Sequence, residues 1–180
     1  MTYVGIDVSK ATFVVAYSSA KAGKTKTFKN TTKGVHEFIQ TLSVTEHHCV
    51  LEATGNYSAL LVYLLSKAGI TVSLENPLKI KNFARVMLSV NKTDETDARL
   101  IALYGERMQP SPYKLRSKSI LILKQKRTVL RQLKKQLVAT RNLKGSMEIL
   151  PLFDAKCKQT IEKTITFLEK QIKGMEEELA

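Results

Sequence analysis

The 180-residue chain carries only two cysteines, Cys49 and Cys157, far apart in sequence. Two lone thiols build no disulfide framework, so a reducing, cytoplasmic setting is expected. No stretch approaches the roughly 18 consecutive apolar residues that a membrane span needs. The start, MTYVGIDVSK, lacks the basic opening and long apolar core of a secretory signal. A membrane partner is therefore not expected. Acid is missing too, but only locally: residues 111–147 hold 11 Lys/Arg and no Asp or Glu. An acid-free segment of that length excludes a balanced, self-neutralising surface there.

What is present suits one core domain plus an appendage. Hydrophobic residues make up 43% of the chain, enough to bury a core, and the formal charge is +13. Such an excess points to a polyanionic partner, above all nucleic acid. It is unevenly placed: residues 1–110 carry a net +4, residues 111–147 carry +11 and residues 148–180 carry −2.

Hydrophobic patterning predicts strands at 3–8 (YVGIDV), 11–18 (ATFVVAYS) and 24–30 (KTKTFKN), joined by turns at Ser9-Lys10 and around Gly23. Asn30 and Thr31 open a helix over 32–43. HHCVLEA (47–53) is a short buried strand, and 57–68 a helix closed by Gly69. ITVSL (70–74) is another strand. Asn76-Pro77 starts a helix running to about Met87, and Thr93 caps one over 94–107. The order β-β-β-α-β-α-β-α-α gives a mixed sheet with helices on its faces, the order of the RNase H-like fold. Beyond Pro110 and Pro112 the chain becomes a long basic helix, 116–145, ending at Gly145. A second helix, 155–179, has apolar residues at 161, 165, 168, 172, 175 and 179, a heptad pattern. A helical hairpin or coiled coil is expected, with the domain boundary at 110/111.

Four carboxylates stand out. Asp7 sits inside an apolar strand and Glu52 ends another, where an unpaired charge is costly. Asp94 and Asp97, three apart at a helix start, share a face. In a sheet whose first and fourth strands are neighbours, all four converge. Singly, each has an ordinary reading as a turn, cap or helix-dipole residue. Together they suit Mg²⁺ or Mn²⁺, which take hard oxygen ligands, and two such ions about 4 Å apart support phosphodiester cleavage.

The segments GIDVSK (5–10), LEATGNY (51–57) and NKTDETDARLIALY (91–104) resemble the DEDD transposases of the insertion sequence 110 group, relatives of the pilin-gene invertases. The resemblance covers about residues 1–107. It implies a RuvC-like fold and a catalytic, metal-binding set at Asp7, Glu52, Asp94 and Asp97. It also implies DNA cleavage and strand exchange, in some members guided by an RNA that the element encodes. A coiled-coil insertion that assembles dimers or tetramers matches the helices at 116–179. The family's second domain, which supplies a serine nucleophile, is expected to lie outside this chain.

The basic helix offers Arg116, Lys118, Lys124, Lys126, Arg127, Arg131, Lys134, Lys135, Arg141 and Lys144 to a phosphate backbone, or to solvent on a coiled-coil face. Lys92, with Lys79, Lys81 and Arg85, lies close in sequence to the carboxylates and has the same two readings. Gly55 either permits a sharp turn after Glu52 or is an ordinary loop glycine, Tyr57 is expected to pack under the following helix rather than stack on a base, and His47-His48 is a solvated strand entry rather than a ligand pair. Rival readings are an actin-like ATPase, a stand-alone junction nuclease, and a non-catalytic nucleic-acid-binding and oligomerisation module. The first lacks a second Gly-rich phosphate loop, since the corresponding stretch is KTDETDA. For the active readings the expected location is the cytoplasm, with the nucleoid.

Overall fold

The structure is a computed structural model of the whole chain; residues 1–18, 24–53, 55–87 and 93–179 are described. It divides into two compact units, Met1–Leu115 and Arg116–Ala180. The expected turn at Gly23, and Lys92, lie outside the described residues.

The first unit is built on a five-stranded sheet: β1 (Thr2–Val8), β2 (Thr12–Tyr17), β3 (Lys26–Lys29), β4 (His47–Glu52) and β5 (Thr71–Glu75). The spatial order is β3-β2-β1-β4-β5. β1 runs antiparallel to β2 and parallel to β4; β4 runs parallel to β5. This is the RNase H-like arrangement. Its helices are α1 (Thr32–Ile39), α2 (Ala59–Lys67), α3 (Pro77–Val86) and α4 (Asp94–Met108). α1 stops four residues short of expectation, in a turn at Gln40 and Thr41, yet Leu42 still packs against the core.

Strand alternation sorts the side chains onto two faces. Val4, Ile6, Phe13, Val15, Cys49, Leu51 and Val72 point to one face and form the main core with Phe38, Leu61 and Leu65 of α1 and α2. Gly5, Val14, Ala16 and Val50 point to the other, under α4. There the packing is backbone to backbone. A Cβ added at Gly5 would fall 2.1 Å from Ala102 N and 2.2 Å from Ala98 O. Gly105, one turn further along α4, is pressed instead against the side chains of Tyr3 and Val50. Glycine and alanine therefore let α4 lie directly on β1.

Two polar devices hold the sheet's margins. Asn30 Nδ2 donates to Ser9 O and Tyr57 O, tying the ends of β1 and β3 to the entry of α2. At the other margin His48 is buried, stacked on Tyr3, and contacts Ser73 Oγ at 2.8 Å through Nε2. Ser73 Oγ in turn donates towards Pro110 O and Ser111 O. Carbonyls only accept, so Nε2 of His48 carries a hydrogen, and burial holds the imidazole below its ordinary pKa. His48 is thus no solvated strand entry; it anchors the segment that follows α4. Tyr57, expected under α2, has a half-exposed side chain.

The second unit is an antiparallel hairpin of α5 (Lys118–Glu148) and α6 (Ala155–Glu177). α5 begins two residues later than expected, where Ser117 Oγ accepts from Ile120 N. It passes through Gly145 and stops ahead of Pro151, the stronger breaker. Leu168 and Ile172 are buried in the hairpin, while Leu130, Leu133 and Leu137 are partly covered. Among the described residues no helix is long and apolar enough to cross a membrane.

Because α4 meets β1 at van der Waals limits, Gly5→Ala should destabilise the protein by at least about 3 kcal/mol. Chemical denaturation checks this. An unfolding free energy within experimental error of the parent would show that α4 does not need this contact.

Candidate active site

Asp7 and Glu52 lie one residue beyond the last pair between β1 and β4, Ile6 and Leu51. Asp7 shares its face with Gly5, and Glu52 shares its face with Val50, so both carboxylates point to the α4 side. Thr93 caps α4: its hydroxyl accepts from Thr96 N, and Thr96 Oγ1 accepts from Thr93 N. That reciprocal box fixes the helix start one residue before Asp94 and holds Asp94 and Asp97 in the first turn. The close seat of α4 on β1 then brings this turn to the strand ends.

The four carboxylates do converge electrostatically. Asp7 is half-buried, and its pKa rises to about 6 through burial first, then repulsion by Asp97, Asp94 and Glu52. Asp94 is exposed, while Asp97 and Glu52 are intermediate. The set is nevertheless open. Among the described residues, no three His, Cys, Asp or Glu side chains stand close enough to surround one ion. The arrangement is a field of like charges at one edge of the sheet, with a donor chemistry that suits a hard divalent cation.

Sequence reading missed a fifth acid. Glu75 pairs with Glu52 across the parallel β4/β5 ladder, so the two side chains share a face. Asp7, Glu52 and Glu75 thus form a row across the ends of three adjacent strands. Glu75 is only 8% exposed. It accepts a hydrogen bond from Tyr104 Oη at 3.2 Å and an ion pair from Lys79 Nζ at 2.9 Å. That pairing raises the pKa of exposed Lys79. The one sequence signal was parallel phrasing: HCVLE and TVSLE both close on glutamate.

The cations predicted on the basic helix divide into two groups. Lys126, Lys134, Arg141 and Lys144 pair with Glu178, Glu176, Glu169 and Glu162 of α6, at 2.7, 2.6, 2.7 and 2.9 Å. They belong to the hairpin's own exposed ion-pair ladder. Among the described residues, Arg116, Lys118, Lys124, Arg127, Arg131 and Lys135 make no ion pair. Of these, Lys124, Arg127, Arg131 and Lys135 recur at spacings of three and four, so they share one helix face.

The order of the sheet and the carboxylates at its edge define an RNase H-like protein. A family model described as Transposase, that of the DEDD transposases of the insertion sequence 110 group, matches residues 4–147. The chain belongs to that family. Curated relatives include the pilin gene-inverting proteins of Moraxella bovis and Moraxella lacunata. Each is 34% identical over 146 residues, covering 75% of this chain and 45% of theirs. The chain therefore spans less than half the length of these relatives. Among solved structures it resembles Thermus thermophilus RuvC, with a TM-score of 0.42 and 14% identity, over 63% of this chain and 100% of that one. The same values hold for RuvC in complex with a Holliday junction substrate, with 99% of that chain covered.

The charge on Asp7 has a thermodynamic consequence. Its folded pKa of about 6 lies above the ordinary 3.8, so the folded state holds this proton more tightly. Stability from this group is present below about pH 4 and is lost as pH rises to about 6. Without metal, Asp7→Asn should therefore raise stability above pH 6, by about 1–2 kcal/mol once solvent screening is allowed for. The gain should vanish near pH 4. Thermal unfolding at both pH values tests this, and a gain equal at both would rule out the charge cluster as its source.

Proposed function

We propose that this chain is the nuclease portion of a DNA transposase or recombinase that uses a divalent cation, and that Asp7, Glu52, Asp94 and Asp97 are its catalytic and metal-binding residues. The observation that carries the reading is the raised pKa of Asp7, to which the other three carboxylates all contribute. A fold does not hold four repelling charges at one strand edge without cost, and a cation offsets that cost. Carboxylate oxygens suit Mg²⁺ or Mn²⁺ in preference to softer metals. When bound, such ions supply an activated attacking oxygen and stabilise the leaving oxygen of a phosphodiester.

The protein's own contribution is positional. β1 and β4 hold Asp7 and Glu52 at fixed strand ends. The capping box at Thr93 and Thr96 sets the angle of the Asp94 and Asp97 turn. The stripe Lys124, Arg127, Arg131 and Lys135 on α5, with Arg116 and Lys118, supports a role in holding nucleic acid through its phosphates. We extend that partner class to DNA and to a structured guide RNA. Lys92 is proposed for the same role from its place in the sequence alone. The apolar side chains Ile120, Leu123, Val129 and Val138 of α5 are exposed. They support self-association through the hairpin. A nucleoid location would follow from these partners.

Calorimetric titration with Mn²⁺ and Mg²⁺ should show binding by the parent and at least tenfold weaker binding by Asp7→Ala and Asp97→Ala. Nicking of supercoiled DNA by the parent should require the metal and be lost in both variants. Equal metal affinity in the three proteins would overturn the four-carboxylate assignment. Metal binding without nicking would reduce this chain to a nucleic-acid-binding and assembly module.

A further inference from the structure

A second basic region lies on the first unit, away from the helical hairpin in sequence. Residues 8–36 contain six lysines and no acid. Five of these, Lys10, Lys24, Lys26, Lys29 and Lys33, are described and exposed, and none makes an ion pair among the described residues. They contrast with the hairpin, where four cations are spent on neighbouring glutamates. Lys26, Lys29 and Lys33 line one polar groove with Thr27 and Thr31, and Glu37 is its only acid.

We propose that this groove is a docking surface for the phosphodiester backbone of duplex DNA. It would hold the duplex along the β3 edge of the sheet. The groove's lysines straddle the β3 edge: Lys26 pairs with Val15 and points with Phe28 to the face that α1 covers, while Lys29 points to the face of Asp7. Asp7 pairs with Val14, and Val14 pairs with Thr27, so Thr27 lies level with Asp7 on the same face. Lys29 follows two residues later, still on that face and towards the same sheet end. Two strand spacings separate β1 from β3, about 10 Å. That distance corresponds to a few phosphates along one DNA strand.

The groove is built. Gly34 of α1 packs on the backbone of β3; a Cβ there would lie 2.2 Å from Lys29 O. This seats Lys33 beside the end of the strand. Lys26 Nζ stands 4.8 Å from the Phe28 ring centroid, and Phe28 stacks on Phe13 in the core. The ammonium of Lys26 is thereby positioned as well as exposed.

Lysines on an edge strand also serve to discourage strand addition by another chain. Lys33 separates the two roles. It sits on a helix, where there is no ladder to guard, yet it continues the same cluster.

The inference rests on the proposed function only for its choice of DNA as partner. The test uses the full chain, a fluorescent random-sequence duplex of about 30 base pairs, and EDTA so that no metal-dependent step intervenes. Binding is followed by anisotropy across a sodium chloride series. The triple variant Lys26→Gln, Lys29→Gln, Lys33→Gln should lose about 2–3 from the slope of log affinity against log salt. The corresponding triple Lys→Arg variant should keep the parental slope, which separates charge from fold. An unchanged slope in the Gln variant overturns the proposal. New self-association of that variant with the slope intact does so too, and makes the lysines edge guards. If the parent shows no metal-dependent nicking but its slope falls on Lys→Gln replacement, the docking surface stands and the proposed function fails.

Discussion

The contact between α4 and β1 at Gly5 is the constraint on which the rest of the first unit depends. It is a contact of backbones, made possible because Gly5, Ala98 and Ala102 present almost no side chain. It closes one face of the sheet. It also fixes where the first turn of α4 ends up, since a rigid helix resting on β1 carries its N-terminus to the strand's end. The carboxylate cluster is therefore a product of core packing. Hydrophobic burial along 98–105 offsets repulsion at 94 and 97, and both burial and that repulsion raise the pKa of Asp7. A site held this way is preorganised, because α4 cannot relax outward without surrendering the seam beneath it.

How much of this was legible in the sequence follows from the range of the interactions involved. Local signals carried the elements. Thr93 marked the start of α4, Asn76-Pro77 the start of α3, and short apolar runs marked β1, β2 and β4. The strand order followed from the element order, and with it the expectation that Asp7, Glu52, Asp94 and Asp97 approach one another. Glu75 was missed because its meaning lies in a pairing with Glu52 across 23 positions of sequence, and no local pattern announces a register. His48 was misread for the same reason. A histidine at the start of a strand looks solvated until Tyr3 and Ser73 are found around it. Gly145 was given too much weight as a helix stop. Within a 31-residue helix one glycine costs about 1 kcal/mol, and the ladder continues to the proline-bearing turn.

Charge was legible as a total and misleading as a location. The segment 111–147 has eleven cations and no acid, so it reads as a continuous phosphate-binding surface. Folding brings the acids of α6 alongside it and withdraws Lys126, Lys134, Arg141 and Lys144 into exposed pairs. Each such pair stabilises the hairpin little, on the order of 0–1 kcal/mol. Its larger effect is on the field, because a neutralised cation no longer attracts a polyanion at distance. What is left to α5 is a narrower stripe than composition suggests.

The opposite holds for residues 8–36. Their lysines are fewer and attract no notice beside the helix, yet none of the described ones is neutralised by a neighbour. A polyanion responds to uncompensated charge held in place. By that measure β3 and α1 count for more than their share of the total. Of these lysines, Lys29 shares the face of Asp7, two strands away. A long exposed helix holds its cations in line, but only along its own axis. Under the proposed docking, the larger charge of α5 would serve affinity and the sheet-borne Lys29 alignment.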